Sequence, residues 1–544
     1  MAAIVLPPKC LSFPRSVANR PPRGGLAWTM IWIVMLCGRA TFADRPHTQP
    51  GTVSTSDRPQ PPMRPSDPAD PSFSIRNDIP VTDYPDTGRD QPRRPGYHFT
   101  SRRNWINDPN GMVHDGQRYH LFFQHNPLGT DWGNMTWGHA VSKDMVHWDQ
   151  QPHALLPYAV DGRDGTIFSG TAIQDHMDSL GHRSGSVPTL AAMYTFAAKP
   201  RFYQSLAYST DRGETWTLHD NGRAVVPNQG LHPEERDPKV FWHGPTEQWG
   251  MVLWVNFDES TEQGTLRFFR SDDLLDWEKV CDVVRPWAYE CPDIFFKQVD
   301  GEGETKTVLY DASGDYEIGV YDGKQFCSET GPLKFGEDGH LYAFQTFNNQ
   351  PKFRTIQMAW MRGGPDADAV DVPFRNQMSF PVELKIVSTK QGPRLSAKPI
   401  GEIVSLITAE DRFDVDLMAD QTITAGFQSD NQLDIDLEIQ PGGVKQIDMT
   451  IAGLNLHFIA DGNRLQFDGD QGPVTLFENM VADQGVIHCR LLIDRMSVEA
   501  FTAGGTRWTA RYALPTLGPS LPTFHAAGGS ANVAGVVRHL TSAW

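Results

Sequence analysis

"SKDMVHW" (Ser142–Trp148), "STDRGETW" (Ser209–Trp216) and "SDDLLDW" (Ser271–Trp277) each open on Ser-x-Asp and close on Trp. One copy is only a way of ending a hairpin. Three copies, about sixty residues apart, are a repeat of one supersecondary unit. Around them lie short runs rich in β-branched and aromatic residues: "RYHLFFQ", "LAAMYTF", "QWGMVLWV", "TLRFFRS", "KTVLYDA" and "RTIQMAWM". No long amphipathic helix interrupts them. An all-β unit repeating at this length fits the antiparallel blades of a β-propeller better than a sandwich. "GVYDGKQF" (Gly319–Phe326) closes a fourth block less faithfully, and Leu341–Leu384 supplies a fifth. The expectation is a five-bladed β-propeller over residues 97–400.

After residue 400 the pattern changes. "FDVDLMA", "LDIDLEI", "IDMTIAG" and "IHCRLLIDRMSVEAFT" alternate apolar with polar, one face in and one out. That predicts a β-sandwich over 401–544. Glu402–Asp411 reads as a short helical connector. At the other end, Arg15, Arg20 and Arg23 precede an apolar run, Leu26–Cys37, followed by the small-residue site Thr41-Phe42-Ala43. The run is short for a membrane span, so residues 1–43 are expected to be a signal peptide, leaving a secreted or periplasmic protein without stable membrane insertion. Residues 44–96 are rich in Pro, Asp, Arg and Ser and predict a disordered linker.

The formal net charge of −18 argues against nucleic acid and anionic surfaces as partners and suits an uncharged substrate. Fifteen Trp residues are compatible with sugar stacking, although most are expected in cores. Cys281, Cys291, Cys327 and Cys489 form no CxxC pair and no disulfide scaffold.

Several blocks open on an acid-bearing segment. "WINDPNG" (Trp105–Gly111) carries Asp108, "ERDPKVFW" carries Arg236 and Asp237, and "YECPDIFF" carries Glu290 and Asp293. Asn-Asp-Pro-Asn-Gly is turn chemistry, which places Asp108 on a tight turn. The starts of inner propeller strands converge on one funnel. Carboxylates meeting there suit glycoside hydrolysis, which needs one to attack or stabilise an oxocarbenium-like centre and one to protonate the leaving oxygen.

"WINDPNG", "YHLFFQHNP", "WGNMTWGHAVSKDMVHW", "IFSGTAI", "RDPKVFW", "ECPDIF" and "RNQMSFPVEL" occur in this order, and together resemble glycoside hydrolase family 32, the β-fructofuranosidases. The resemblance covers roughly Gly96–Leu384 and continues weakly through "LLIDRMSVEAF" (Leu491–Phe501). It implies that Asp108 is the nucleophile, Glu290 the general acid/base and Asp237 the transition-state stabiliser. It implies further that Trp105, Asn107, Gln124, Trp132, Phe168, Ser169 and Arg236 line the fructosyl pocket, with Tyr342 and Trp360 beside them. The implied activity is retaining hydrolysis of levan, inulin or sucrose without metal or organic cofactor. The levanase-like and exo-inulinase-like motifs favour a polymeric fructan. A fructosyltransferase is the near alternative. An arabinan-cleaving propeller lacking the "WINDPNG" and "ECPD" pair, and a non-catalytic carbohydrate-binding propeller lacking a carboxylate, are the distant ones.

Overall fold

The structure is a computed structural model describing residues 62–81, 87–183, 185–334 and 339–544. The expected signal peptide, and the first part of the expected linker, lie outside the described residues. Among the described residues the regular structure is strand, with only short 3₁₀ turns. No helix there is long and apolar enough to cross a membrane.

Five strands form a closed ring. Asn104–His114 packs on Arg163–Gln174, that on Arg236–His243, that on Asp293–Val299, that on Leu341–Thr346, and the last returns to Asn104–His114. Each ring strand begins or joins a sheet that is antiparallel except where Met63–Pro65 meets Trp216–Leu218, Phe374–Arg375 meets Asn104–Trp105 and Val299 meets Ile386. The third sheet is the plainest, with four strands in chain order: Arg236–His243, Gln248–Asp258, Gln263–Ser271 and Glu278–Arg285. The sheets holding Asp293–Val299 and Leu341–Thr346 are joined by one parallel bridge, Val299 to Ile386. Inside the ring, Lys239 Nζ lies 3.1 Å from Asp293 Oδ2 and donates to the Thr346 carbonyl at 2.8 Å. Both charged side chains are buried, so each depends on the other for neutralisation.

The Ser-x-Asp…Trp repeat has a common physical basis. In the first copy the Ser142 hydroxyl accepts from Met145 N (2.8 Å), and Asp144 Oδ1 accepts from Val146 N and His147 N (2.9 and 2.8 Å). Trp148 Nε1 donates back to the Met145 carbonyl at 3.0 Å. The third copy repeats every bond with Ser271, Asp273, Leu274 and Trp277. These side chains satisfy backbone donors that a reversing chain leaves open. The second copy, one residue longer, uses Ser209 on Gly213 N and Asp211 on Thr215 N.

After a 3₁₀ turn at Gly401–Leu406, where a helical connector was expected, two six-stranded sheets follow. Leu433, Ile435, Leu437 and Leu491 from one meet Ile447, Leu456, Phe458 and Phe524 from the other in a single apolar cluster.

The expected disordered linker requires correction over its described part. Met63–Pro65 pairs in parallel with Trp216–Leu218, and Ser74–Ile75 pairs with Tyr158–Ala159. Met63 and Ile79 are buried. Asn221 Oδ1 accepts from Ser66 Oγ and Asp67 N, while Arg223 Nη2 donates to Asp70 Oδ2 at 2.7 Å. The segment has too little apolar surface to fold alone, but an existing sheet edge supplies its backbone partners.

Residues 87–96 continue in contact with the C-terminal sheets, and His98 fixes that junction. Its ring bridges Asp494 Oδ2 and Glu499 Oε1, each at 2.8 Å, with all three side chains buried. Asp494 also accepts from Gly96 N, and Glu499 from Phe380 N and Trp508 Nε1. Burial opposes the imidazolium, but the two carboxylates outweigh it and raise the His98 pKa to about 9. A folded pKa above the unfolded value contributes stability that is complete below about pH 6.5 and lost as pH rises through about 9. Replacing His98 with Ala leaves two buried carboxylates without their cation and is expected to cost about 3–5 kcal/mol near pH 6. Urea unfolding of parent and variant at pH 6 and pH 9.5 checks this. The gap between them should narrow at the higher pH.

Candidate active site

The strand carrying "WINDPNG" is bulged twice. Its pairing with Tyr119–Asn126 shifts register between Ile106 and Pro109 and again between Asn110 and Val113. The letters that read as a tight turn therefore encode a deformed strand, which corrects the placement of Asp108. Gly111 has φ 50°, and a Cβ there would lie 2.7 Å from Trp137 and 2.8 Å from Phe122. The deformation turns Asp108 towards neighbouring ring strands.

Asp108 Oδ2 accepts from Ser169 Oγ at 2.7 Å, and its Oδ1 from Asn107 Nδ2 at 3.0 Å. Trp105 Nε1 donates to Asn107 Oδ1 at 2.8 Å, fixing which end of that amide faces the carboxylate. Turned so that donors face acceptors, the Asn110 amide donates to Ser169 Oγ (3.1 Å) and accepts from Gln124 Nε2 (3.0 Å). Gln124 thus reaches Asp108 through two intermediates.

Asp237 stands at the head of its strand with φ 66°, its N–H held by Thr195 Oγ1 at 2.9 Å. Its Oδ2 accepts from Cys291 N at 3.0 Å. The Cys291 Sγ lies 3.5 Å from Asp237 Oδ2 and 3.5 Å from Asp108 Oδ2. The two carboxylates therefore meet at one thiol. Glu290, the preceding residue, is half-buried. Its Oε2 accepts from Arg236 Nε and Nη2 (3.1 and 2.9 Å), and its Oε1 from Tyr342 OH at 2.5 Å. The Arg236 guanidinium carbon also lies 4.3 Å from the centre of the Trp254 ring, a cation–π contact.

The electrostatics follow first from burial and then from neighbouring charge. Burial raises the Asp108 pKa, with Glu290 adding to it and the Ser169 and Asn107 bonds opposing. Asp237 is pushed up to about 7 by burial, against Arg236 and with the charges of Glu290 and Asp108. Burial and the neighbouring carboxylates hold the Cys291 thiol protonated. Burial is the leading cause at each of these three groups, and the neighbouring negative charges add to it.

Aromatic rings form the walls. Trp360 meets Trp105 edge-on at 6.0 Å and Tyr342 at 6.2 Å. Trp132 meets Phe168 at 6.0 Å and is 59% exposed, the largest exposed ring on this rim. The expected residues thus fall into one cluster, with Trp132 and Phe168 as an outer pair next to Ser169. Cys291, Asn110 and Thr195 were not anticipated. Adjacency to Glu290 is the signal available in the sequence for Cys291. Among the described residues no group of three or more His, Cys, Asp or Glu side chains is arranged to hold a metal ion.

Two raised carboxyls and a third beside them, with aromatic rings close by in an all-β protein, suit the chemistry of a glycoside hydrolase. Residues 98–399 match the glycosyl hydrolases family 32 N-terminal domain. The chain is 30% identical over 498 residues to the levanase of Bacillus subtilis (strain 168), covering 84% of this chain and 71% of that one. It is 30% identical over 535 residues to an extracellular exo-inulinase of Aspergillus ficuum, covering 84% of this chain and 96% of that one. The crystal structure of an exo-inulinase from Aspergillus awamori superposes with a TM-score of 0.73 at 25% identity, covering 84% of this chain and all of that one. The chain belongs to glycosyl hydrolase family 32, whose members act on β-fructosides.

Proposed function

We propose that the protein is an exported, retaining β-fructosidase that releases fructose from levan, inulin or sucrose. The observation that carries the mechanism is the Cys291 thiol within 3.5 Å of both Asp108 and Asp237, with Glu290 one residue away. Asp108 attacks the fructosyl C2 while Glu290 protonates the departing oxygen. Glu290 then takes a proton from water, which releases fructose from the ester on Asp108. Asp237 binds fructose hydroxyls, and its contacts strengthen as the sugar flattens. Trp105, Asn107, Gln124, Trp132, Phe168, Ser169, Arg236, Tyr342 and Trp360 shape the pocket. Side chains alone carry this chemistry.

The ring of five strands supports reading the first part as a five-bladed propeller over about 97–400, with the two packed sheets after it as a sandwich. The names of the two relatives above, levanase and exo-inulinase, favour a polymeric fructan. Residues 1–43 remain proposed as a signal peptide, consistent with the extracellular relatives.

Product profiling on levan, inulin and sucrose tests the reading. Free fructose as the main first product supports hydrolysis. Chain-lengthened oligofructosides at early times point to transfer, and no cleavage of any of the three overturns the assignment.

The pocket also sets a pH response. The raised Asp108 must be ionised to attack, so the acid limb of kcat/KM is expected above the ordinary aspartate value of about 3.9. Ser169 donates to the ionised form, so Ser169→Ala is expected to move that limb up by about one unit, the size of one charge-assisted bond. A pH profile of the two enzymes on sucrose decides it. An unmoved limb would mean that another group governs the acid side.

A further inference from the structure

We infer that the segment before the family domain is a working part of the substrate pocket: Arg76 positions the rim loop that carries Trp132. This rests on the proposed reading of Trp132 as a wall of the sugar site. Residues 62–81 precede the family match, which begins at residue 98. They nevertheless run along the sheets on the side of that loop. Arg76 N donates to the Pro157 carbonyl at 3.0 Å, and His153 N donates to the Val81 carbonyl at 3.1 Å. The segment is thus anchored on both sides of Arg76, with Met63 and Ile79 buried at its two ends.

From that anchored backbone the Arg76 guanidinium reaches two partners. Nε and Nη2 grip Asp78 at 3.0 and 2.5 Å, which orients the plane. Nη1 then donates to Asn134 Oδ1 at 3.3 Å. Asn134 sits two residues after Trp132, in the left-handed region with φ 48°. Its own Nδ2 donates to Asn126 Oδ1 at 3.2 Å, and Asn126 Nδ2 donates to the Asp131 carbonyl at 2.7 Å. The residues flanking Trp132 are therefore tied into one relay that starts at Arg76. On the far side Arg375 Nη1 donates to Asp131 Oδ1 at 3.1 Å. Trp132 itself touches little, since it is 59% exposed and meets Phe168 only edge-on. Its placement depends on the loop, and the loop is held by arginines from two directions.

A long, exposed ring is useful to a sugar only if it is already in place when the sugar arrives, because ordering it on binding subtracts from affinity. Loss of Arg76 should thus weaken ground-state and transition-state binding alike, and leave the chemistry untouched. Arg76→Ala is expected to raise KM for sucrose and fructan about fivefold, the scale of one aromatic contact, with kcat within about twofold. Arg76→Lys should recover part of this, and Asp78→Ala should reproduce part of it. The deciding measurement is the double-mutant cycle. In a Trp132→Ala background, Arg76→Ala should change KM by less than about 1.5-fold, because residues acting through one another are not additive. Equal effects in both backgrounds, or a fall in kcat at constant KM with a lower melting temperature, would overturn the inference. Trp132→Ala raising KM while Arg76→Ala does nothing would overturn it alone. Trp132→Ala leaving KM unchanged on every cleaved substrate would remove the pocket role of Trp132 and the inference together.

Discussion

Asp108→Asn is expected to leave a folded protein whose turnover on sucrose, levan and inulin falls on the order of 10⁴- to 10⁶-fold, the range seen when a covalent nucleophile is removed. The amide has nearly the shape of the carboxylate. Its oxygen can still accept from Asn107 Nδ2, and its nitrogen can donate to Ser169 Oγ, because a hydroxyl serves in either role. No ester can form on an amide, so an activated leaving group should not restore the rate. The same change removes one of the negative charges packed around Cys291. Burial and Glu290 already disfavour that charge, so unfolding resistance should stay level or rise. Activity lost with the melting temperature kept is the signature of a reacting group. Activity and melting temperature lost together would mean that Asp108 holds the strand rather than the substrate.

How far the sequence reached depended on whether a signal was local. The Ser-x-Asp…Trp repeat was legible because each copy closes its own bonds within eight residues, as Ser142, Asp144 and Trp148 show. The alternation in Leu433–Gln440 and Gln446–Ile451 likewise marked strands with one buried face. The ordered set of motifs pointed to the three carboxylates, and the structure brings Asp108 and Asp237 to the thiol of Cys291, the residue after Glu290. What escaped was whatever depends on a distant partner. "NDPNG" carries the letters of a turn, and only the pairing of Ile106 with His125 and Pro109 with Phe123 makes it a bulge. Residues 62–81 look unfoldable by composition, and composition does not reveal the edge offered by Trp216–Leu218. Cys291 was visible only as a cysteine, since its role requires Asp108 and Asp237, 183 and 54 residues away, to meet at its sulfur.

Glu290→Gln separates the two chemical steps and therefore tests the mechanism from the other side. On sucrose or fructan, turnover should fall about 10²- to 10⁴-fold, the usual contribution of a positioned acid. The pocket tolerates the exchange. The glutamine oxygen can face Arg236 Nε and Nη2, and its nitrogen can donate to the Tyr342 hydroxyl, which accepts as readily as it donates. A fructoside with an activated leaving group needs no protonation. Its first step should stay fast, giving a burst of leaving group followed by slow release of the ester on Asp108. Azide needs no deprotonation, so it should accelerate the second step and appear as a fructosyl azide of the original anomeric configuration. The stereochemistry follows from the room available. A retaining site holds its two carboxyls about 5–5.5 Å apart, whereas an inverting one leaves about 6.5–9.5 Å for a water between them. The proposed mechanism requires the short separation between the Asp108 and Glu290 carboxyls. An inverted first-formed anomer, or a Glu290→Gln enzyme as active as the parent on sucrose, would require a water where Asp108 is proposed to attack.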